Sequence, residues 1–134
     1  MLAMSGWSQT LPEGAVVIGN EIGLEQVTAS DVRRAMRGEL NRWKGGSDLS
    51  VTVVLPSTKL PECVATANFL VNSPRPAALQ KYWLGLVFEG RAKAPVFGRS
   101  QQDVLDAVMA TPGSIALVYG IAVPREYVIQ VDRE

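Results

Sequence analysis

Ser57, Thr58 and Lys59 are the consecutive residues of this sequence whose types and placement best suit binding chemistry. They follow an apolar, β-branched run over 49–55 closed by Pro56, and they precede a stretch of helical spacing that opens near Pro61. A helix start offers amide N–H groups and partial positive charge. Two hydroxyls and an ammonium beside it make a cradle for a small oxyanion. In open α/β sheets ligands sit beyond the carboxyl ends of the strands, where this loop would lie. The plainer alternative is a capped loop carrying a solvated lysine.

Other reactive groups are few. The chain has no His and a single Cys, Cys63. A Ser-His-Asp or Cys-His triad cannot be assembled from it, and neither can a Cys/His zinc site. Cys63 falls near a helix start, where a thiolate is favoured, but also on that helix's apolar side with no base beside it, so inert packing is expected. A lone Cys forms no internal disulfide and leaves the redox compartment open. The acids are scattered, with no close pair in an apolar setting for carboxylate catalysis, and Gly-rich phosphate loops of the dinucleotide or Walker type are missing. The expectation is a protein without catalytic residues, resident metal or cofactor. Tyr82 and Trp83 have the rings to stack on a ligand, but their spacing assigns them to the inner stripe of a helix.

Charge points the same way. Lys plus Arg and Asp plus Glu number 13 each, so the formal net charge is zero and no global field favours nucleic acid or an anionic membrane. Arg33, Arg34 and Arg37, continued by Arg42 and Lys44, form a small basic face whose default reading is a solvated helix surface. No apolar run is long enough to span a bilayer.

The elements that must position the loop follow from periodicity. Continuous apolar runs predict buried strands over 15–19, 49–55 and 114–119, and alternation predicts an outer strand over 126–131. Residues 20–26 read as a loop. A first helix is expected with Ser30 as N-cap, Val32, Ala35, Met36 and Leu40 inside, and fraying at Gly38. A second opens with Leu60 or a hydroxyl at the cap and Pro61 in the first turn, burying Cys63, Val64, Ala67, Leu70 and Val71. The third runs from Pro76 to Gly90 with Leu79, Tyr82, Trp83, Leu86 and Val87 at i, i+3, i+4, i+7, i+8. An extended connector over 91–98 leads to a fourth helix, capped by Ser100 with Asp103 three residues on, that buries Val104, Leu105 and Val108. The order β-α-β-α-α-(β)-α-β-β predicts one α/β domain over 15–134 with a mainly parallel central sheet flanked by helices, preceded by a flexible tail over 1–14. Ala3 and Ser5 have the small side chains a signal peptidase reads, although a charged n-region and a full apolar core are missing.

Several of these pieces together resemble the phosphate-type (PstS-like) periplasmic substrate-binding proteins of bacterial ABC transporters. The resemblance is carried by the capped helix over 27–38 followed by Trp43, the strand over 51–56, Phe69 in the next helix, and Tyr82, Trp83 and the Leu-Val-Phe-Glu-Gly of 86–90. Val104, Leu105, Val108, the Ala-Thr-Pro-Gly of 110–113, Ile115 and Val118 are its most specific part. It covers about 15–131 and implies the fold of one lobe of a type II periplasmic binding protein, an extracytoplasmic location, and phosphate or another oxyanion as ligand. The family's phosphate motif is an Arg with a Ser-Gly-Thr run at the helix start after the second strand. Here Ser57, Thr58 and Lys59 stand in its place, and a lysine is a point charge where the family has a forked guanidinium. The resemblance therefore implies a degenerate anion site and, for a chain long enough for one lobe, a docking role with a protein partner or a second copy. The alternative it implies is weak oxyanion binding alongside an ABC transporter.

Overall fold

Alternating apolar side chains along the central strands decide the layering. The computed structural model describes residues 10–24 and 26–132. Its elements are β1 (Ala15–Gly19), β2 (Gln26–Thr28), α1 (Ala29–Met36), β3 (Thr52–Pro56), α2 (Glu62–Val71), α3 (Pro76–Phe88), β4 (Val96–Gly98), α4 (Gln101–Ala110), β5 (Ser114–Tyr119) and β6 (Gln130–Asp132). Val53, Leu55, Ile115 and Leu117 face one side of the sheet and pack on the inner faces of α1, α2 and α3; Val54, Ala116 and Val118 face the other and pack on Val104, Leu105 and Val108 of α4. Burial on both faces explains why β3 and β5 read as unbroken apolar runs rather than as alternating ones.

The main sheet has the order β1-β5-β3-β4, and β2 and β6 form a separate parallel pair. β3 runs parallel to both β4 and β5, while β1 lies antiparallel to β5. The architecture is thus a small α/β domain with a mostly parallel central sheet and helices on both faces, with one antiparallel edge. The strand over 114–119 and the cap at Ser100, which accepts from the Asp103 N–H at 3.0 Å, lie where the sequence places them.

Local chemistry corrects several boundaries. Thr28, not Ser30, caps α1: its hydroxyl accepts from the Asp31 N–H at 3.0 Å, and the Asp31 carboxylate accepts from the Thr28 N–H at 3.1 Å. This reciprocal box satisfies two orphan donors where Ser30 would satisfy one. Gly38 closes the helix instead of fraying it. At φ +78° its N–H donates to the Ala35 carbonyl and the Glu39 N–H to that of Arg34, a Schellman-type stop that leaves Leu40 outside the helix. Pro61 itself is the N-cap of α2, with no side-chain cap bond. Val64 is 44% exposed, and Thr66 and Phe69 take its place inside. Val87 at 37% exposure also leaves the inner stripe of α3. Within the expected strand 126–131, a 3-10 turn occupies Arg125–Tyr127; Val128 then bridges Ile18 of β1, and β6 pairs with β2, which begins at the last residue read as a loop. Two- and three-residue contacts of this kind leave no periodicity to read.

Arg33 and Arg37 are not a solvated face, whereas Arg34 is exposed as expected. Arg33 Nε donates to the Phe69 carbonyl at 2.8 Å, and Arg37 Nη1 donates to that of Leu70. α2 has no basic residue in its own last turn, so α1 supplies the positive charge that its carboxyl end requires. Trp43, buried, donates its indole N–H to the Gly113 carbonyl at 2.8 Å and ties the turn after α1 to the entry of β5. The Ala3–Ser5 segment lies outside the described residues, as does most of the expected tail.

Candidate site at the carboxyl ends of the strands

β3, β4 and β5 end side by side at Pro56, Gly98 and Tyr119, and the chain leaves the first two directly into α2 and α4. Ser57, Thr58 and Lys59 therefore lie where the sequence puts them, beyond a carboxyl strand end and before a helix. Three hydrogen bonds then decide what the loop can do. The Ser57 N–H donates to the Gly98 carbonyl at 2.9 Å, the Lys59 N–H to Ser57 Oγ at 3.2 Å, and the Leu60 N–H to the Ser57 carbonyl at 2.9 Å. Pro61 has no N–H to offer. The loop's amides are thus engaged at Ser57, Lys59 and Leu60, and Ser57 Oγ already serves as an acceptor. What faces outward is the half-buried Thr58 and the exposed Lys59 side chain.

At the neighbouring chain exit the polar side chains likewise bond the local backbone, with one exception. Ser100 Oγ caps α4, and the Arg99 N–H donates to the Asp103 carboxylate at 3.3 Å. Gln101 Oε1 accepts from the Tyr119 N–H at 2.8 Å and so closes the end of β5. Its Nε2 is buried without a partner among the described residues, a cost that a water or a ligand oxygen would remove. Sequence reasoning did not single out Gln101. The signal was present as a Gln directly after a Ser cap, but nothing local says that its carboxamide reaches a strand 18 residues away.

Tyr119 and Thr66 share a hydroxyl–hydroxyl bond of 3.2 Å beneath the same strand ends. Burial pushes the Tyr119 phenol above its usual value, more than the Thr66 bond draws it down. Burial also pushes the Cys63 thiol up, against the pull of the α2 amino end, and its Sγ lies 3.7 Å from the Pro56 carbonyl. A thiol held in its neutral form under the loop is packing, as expected. Trp83 is likewise buried at 3% exposure, and Tyr82 donates its hydroxyl to the Arg37 carbonyl at 2.6 Å.

The larger concavities lie elsewhere. One of about 610 Å³ is lined by Arg34, Glu39, Arg42, Trp43 and Ile115, at the opposite end of the sheet. Another of about 720 Å³ runs along α3 between Arg75, Lys81 and Arg91. Neither includes Ser57, Thr58 or Lys59. Among the described residues no cluster of three metal-ligating side chains occurs, and no helix is long and apolar enough to cross a membrane.

No protein-family model matches the chain, and no curated protein matches it significantly in sequence. Solved structures do. An ABC-type phosphate transport receptor from Vibrio cholerae superposes with a TM-score of 0.56 at 15% identity, over 95% of this chain and 48% of the receptor. A substrate-binding protein of Clostridium perfringens with bound phosphate gives 0.55 at 17% identity, over 90% of this chain and 44% of that one. PstS from Borrelia burgdorferi gives 0.52 at 16% identity, over 78% and 40%. The chain spans less than half the length of these proteins, and over that length it has the α/β fold that phosphate ABC transporter substrate-binding proteins share.

Proposed function

We propose that this chain is a non-catalytic, extracytoplasmic module of the substrate-binding-protein fold whose oxyanion loop has degenerated and which serves as a docking component of a larger assembly. The observation that carries the reading is the bond from the Ser57 N–H to the Gly98 carbonyl, with the Lys59 and Leu60 amides turned onto Ser57 itself. An anion cradle needs unpaired amides aimed at one point. This loop retains a threonine and a lysine at the surface, where water screens a single ammonium. Residues 15–134 are the extent proposed for the module.

A second reading is weak binding of phosphate or another small oxyanion beside an ABC transporter. The unpartnered Gln101 carboxamide at the next chain exit favours it. Thermal-shift titrations with phosphate and sulfate separate the two. The docking reading expects no more stabilisation from phosphate than from chloride at equal ionic strength; a saturable, phosphate-specific rise in Tm decides for the second.

A further inference from the structure

α3 has 13 residues and is about 20 Å long, and a concavity of about 720 Å³ follows one flank of it. Arg75 stands before its first residue, Lys81 midway and Arg91 shortly after its end, and all three line the concavity. Between them lie Ala78, Tyr82, Gly85 and Leu86.

The one acid of the lining is Glu89, which pairs with Arg91 at 3.3 Å between exposed side chains. Such a pair contributes little and yields readily to another carboxylate. Arg34 and Arg37 pair with Glu39, and Arg42 with Asp48, but neither Arg75 nor Lys81 faces an acid among the described residues. Uncompensated positive charge therefore lies in the lining of this groove itself, along an uncharged floor.

We infer that the groove docks an acidic amphipathic helix of a partner protein, laid along α3 with carboxylates at Arg75, Lys81 and Arg91 and uncharged side chains on the floor. The inference rests on the docking reading and names a surface for it. Every lining residue belongs to α3 or its two ends, so the groove offers no strand edge. An extended segment would leave its backbone groups unpaired against the floor, whereas a helix satisfies its own. Three cations along the groove suit a few carboxylates. Duplex DNA presents a charge every ~1.7 Å, and lipid surfaces recruit clusters of about four to eight basic residues. A second copy placed two-fold on the groove would set these three cations against the same three. The chain's own helix with acids and no base, α4, carries only Asp103 and Asp106 over ten residues, about 15 Å, too short to reach from Arg75 to Arg91.

The test is an amide-resolved NMR titration of the whole chain at low ionic strength with a helical peptide of about four turns. It carries Glu at both ends and at its centre, with Ala and Leu between. Parallel titrations use its Lys-for-Glu version, a version with the same Glu residues gathered at one end, and phosphatidylglycerol vesicles; sedimentation reports self-association. The spaced Glu peptide is expected to shift the amides of Ala78, Lys81 and Gly85. It should bind about tenfold more weakly to Arg75→Glu and to Lys81→Glu, both with a parent-like Tm, and change by less than about twofold with Lys44→Glu, an equal change of net charge on another surface. No binding, shifts confined to another surface, equal binding of the gathered or the Lys version, an equal loss with Lys44→Glu, capture by vesicles alone, or a dimer abolished by Lys81→Glu each overturn the inference. A phosphate-specific rise in Tm overturns the docking reading instead, so the two failures are told apart.

Discussion

The Ser57 amide donates to the Gly98 carbonyl at 2.9 Å, across the carboxyl ends of β3 and β4. One bond both extends the β3–β4 ladder by a residue and removes the first amide of the loop from any ligand. Gly98 also lets α4 pack closely on this strand end, because a Cβ there would lie 2.6 Å from Val104 Cγ2 and force α4 off the sheet. Gly98→Ala is accordingly expected to destabilise the fold by roughly 1–3 kcal/mol, as overpacking does. Urea denaturation measures it.

Arg33 and Arg34 are adjacent in sequence and opposite in role. Arg33→Met removes the donor at 2.8 Å from the Phe69 carbonyl and should cost about 1–2 kcal/mol. Arg34→Met loses only a 3.8 Å pair with Glu39 on an exposed surface and should stay within about 0.5 kcal/mol of the parent. Equal effects in chemical denaturation would contradict the capping role.

The sequence showed the alternation of strands and helices, the Ser100 cap, the inner faces of α3 and α4 and the position of the candidate loop. Each is written within four to eight neighbouring residues. Arg33 reaching Phe69, Trp43 reaching Gly113 and Ser57 reaching Gly98 link positions far apart in the chain, and only the folded backbone brings them together. For the same reason residue types place Ser57, Thr58 and Lys59 at the loop, while the direction of their amides is set by the paired ends of β3 and β4.

Trp83→Ala is expected to cost roughly 3–5 kcal/mol, since the indole is 3% exposed against Leu86 and Gly38. A parent-like thermal melt of this variant would place the ring at the surface.

Burial pushes the Cys63 thiol and the Tyr82 and Tyr119 phenols above their usual values. All three lose a proton more easily in the unfolded chain. Stability is therefore unaffected by them below the usual thiol value of 9.0 and falls as pH rises through that value and on towards the phenol range. With no His in the chain, these groups bring no corresponding step between pH 5 and 8. Denaturation midpoints across pH 7 to 11 test the sign; a rise in stability above pH 9 would contradict the burial of the thiol.

Isothermal calorimetry of phosphate with the whole chain tests the degenerate loop most directly. With the Ser57, Lys59 and Leu60 amides engaged, the account predicts a Kd no tighter than about 1 mM, near 4 kcal/mol, weakened further by Lys59→Ala and by added salt. Micromolar phosphate binding that is lost with Lys59→Ala would contradict it and make the loop at Ser57 a working anion site.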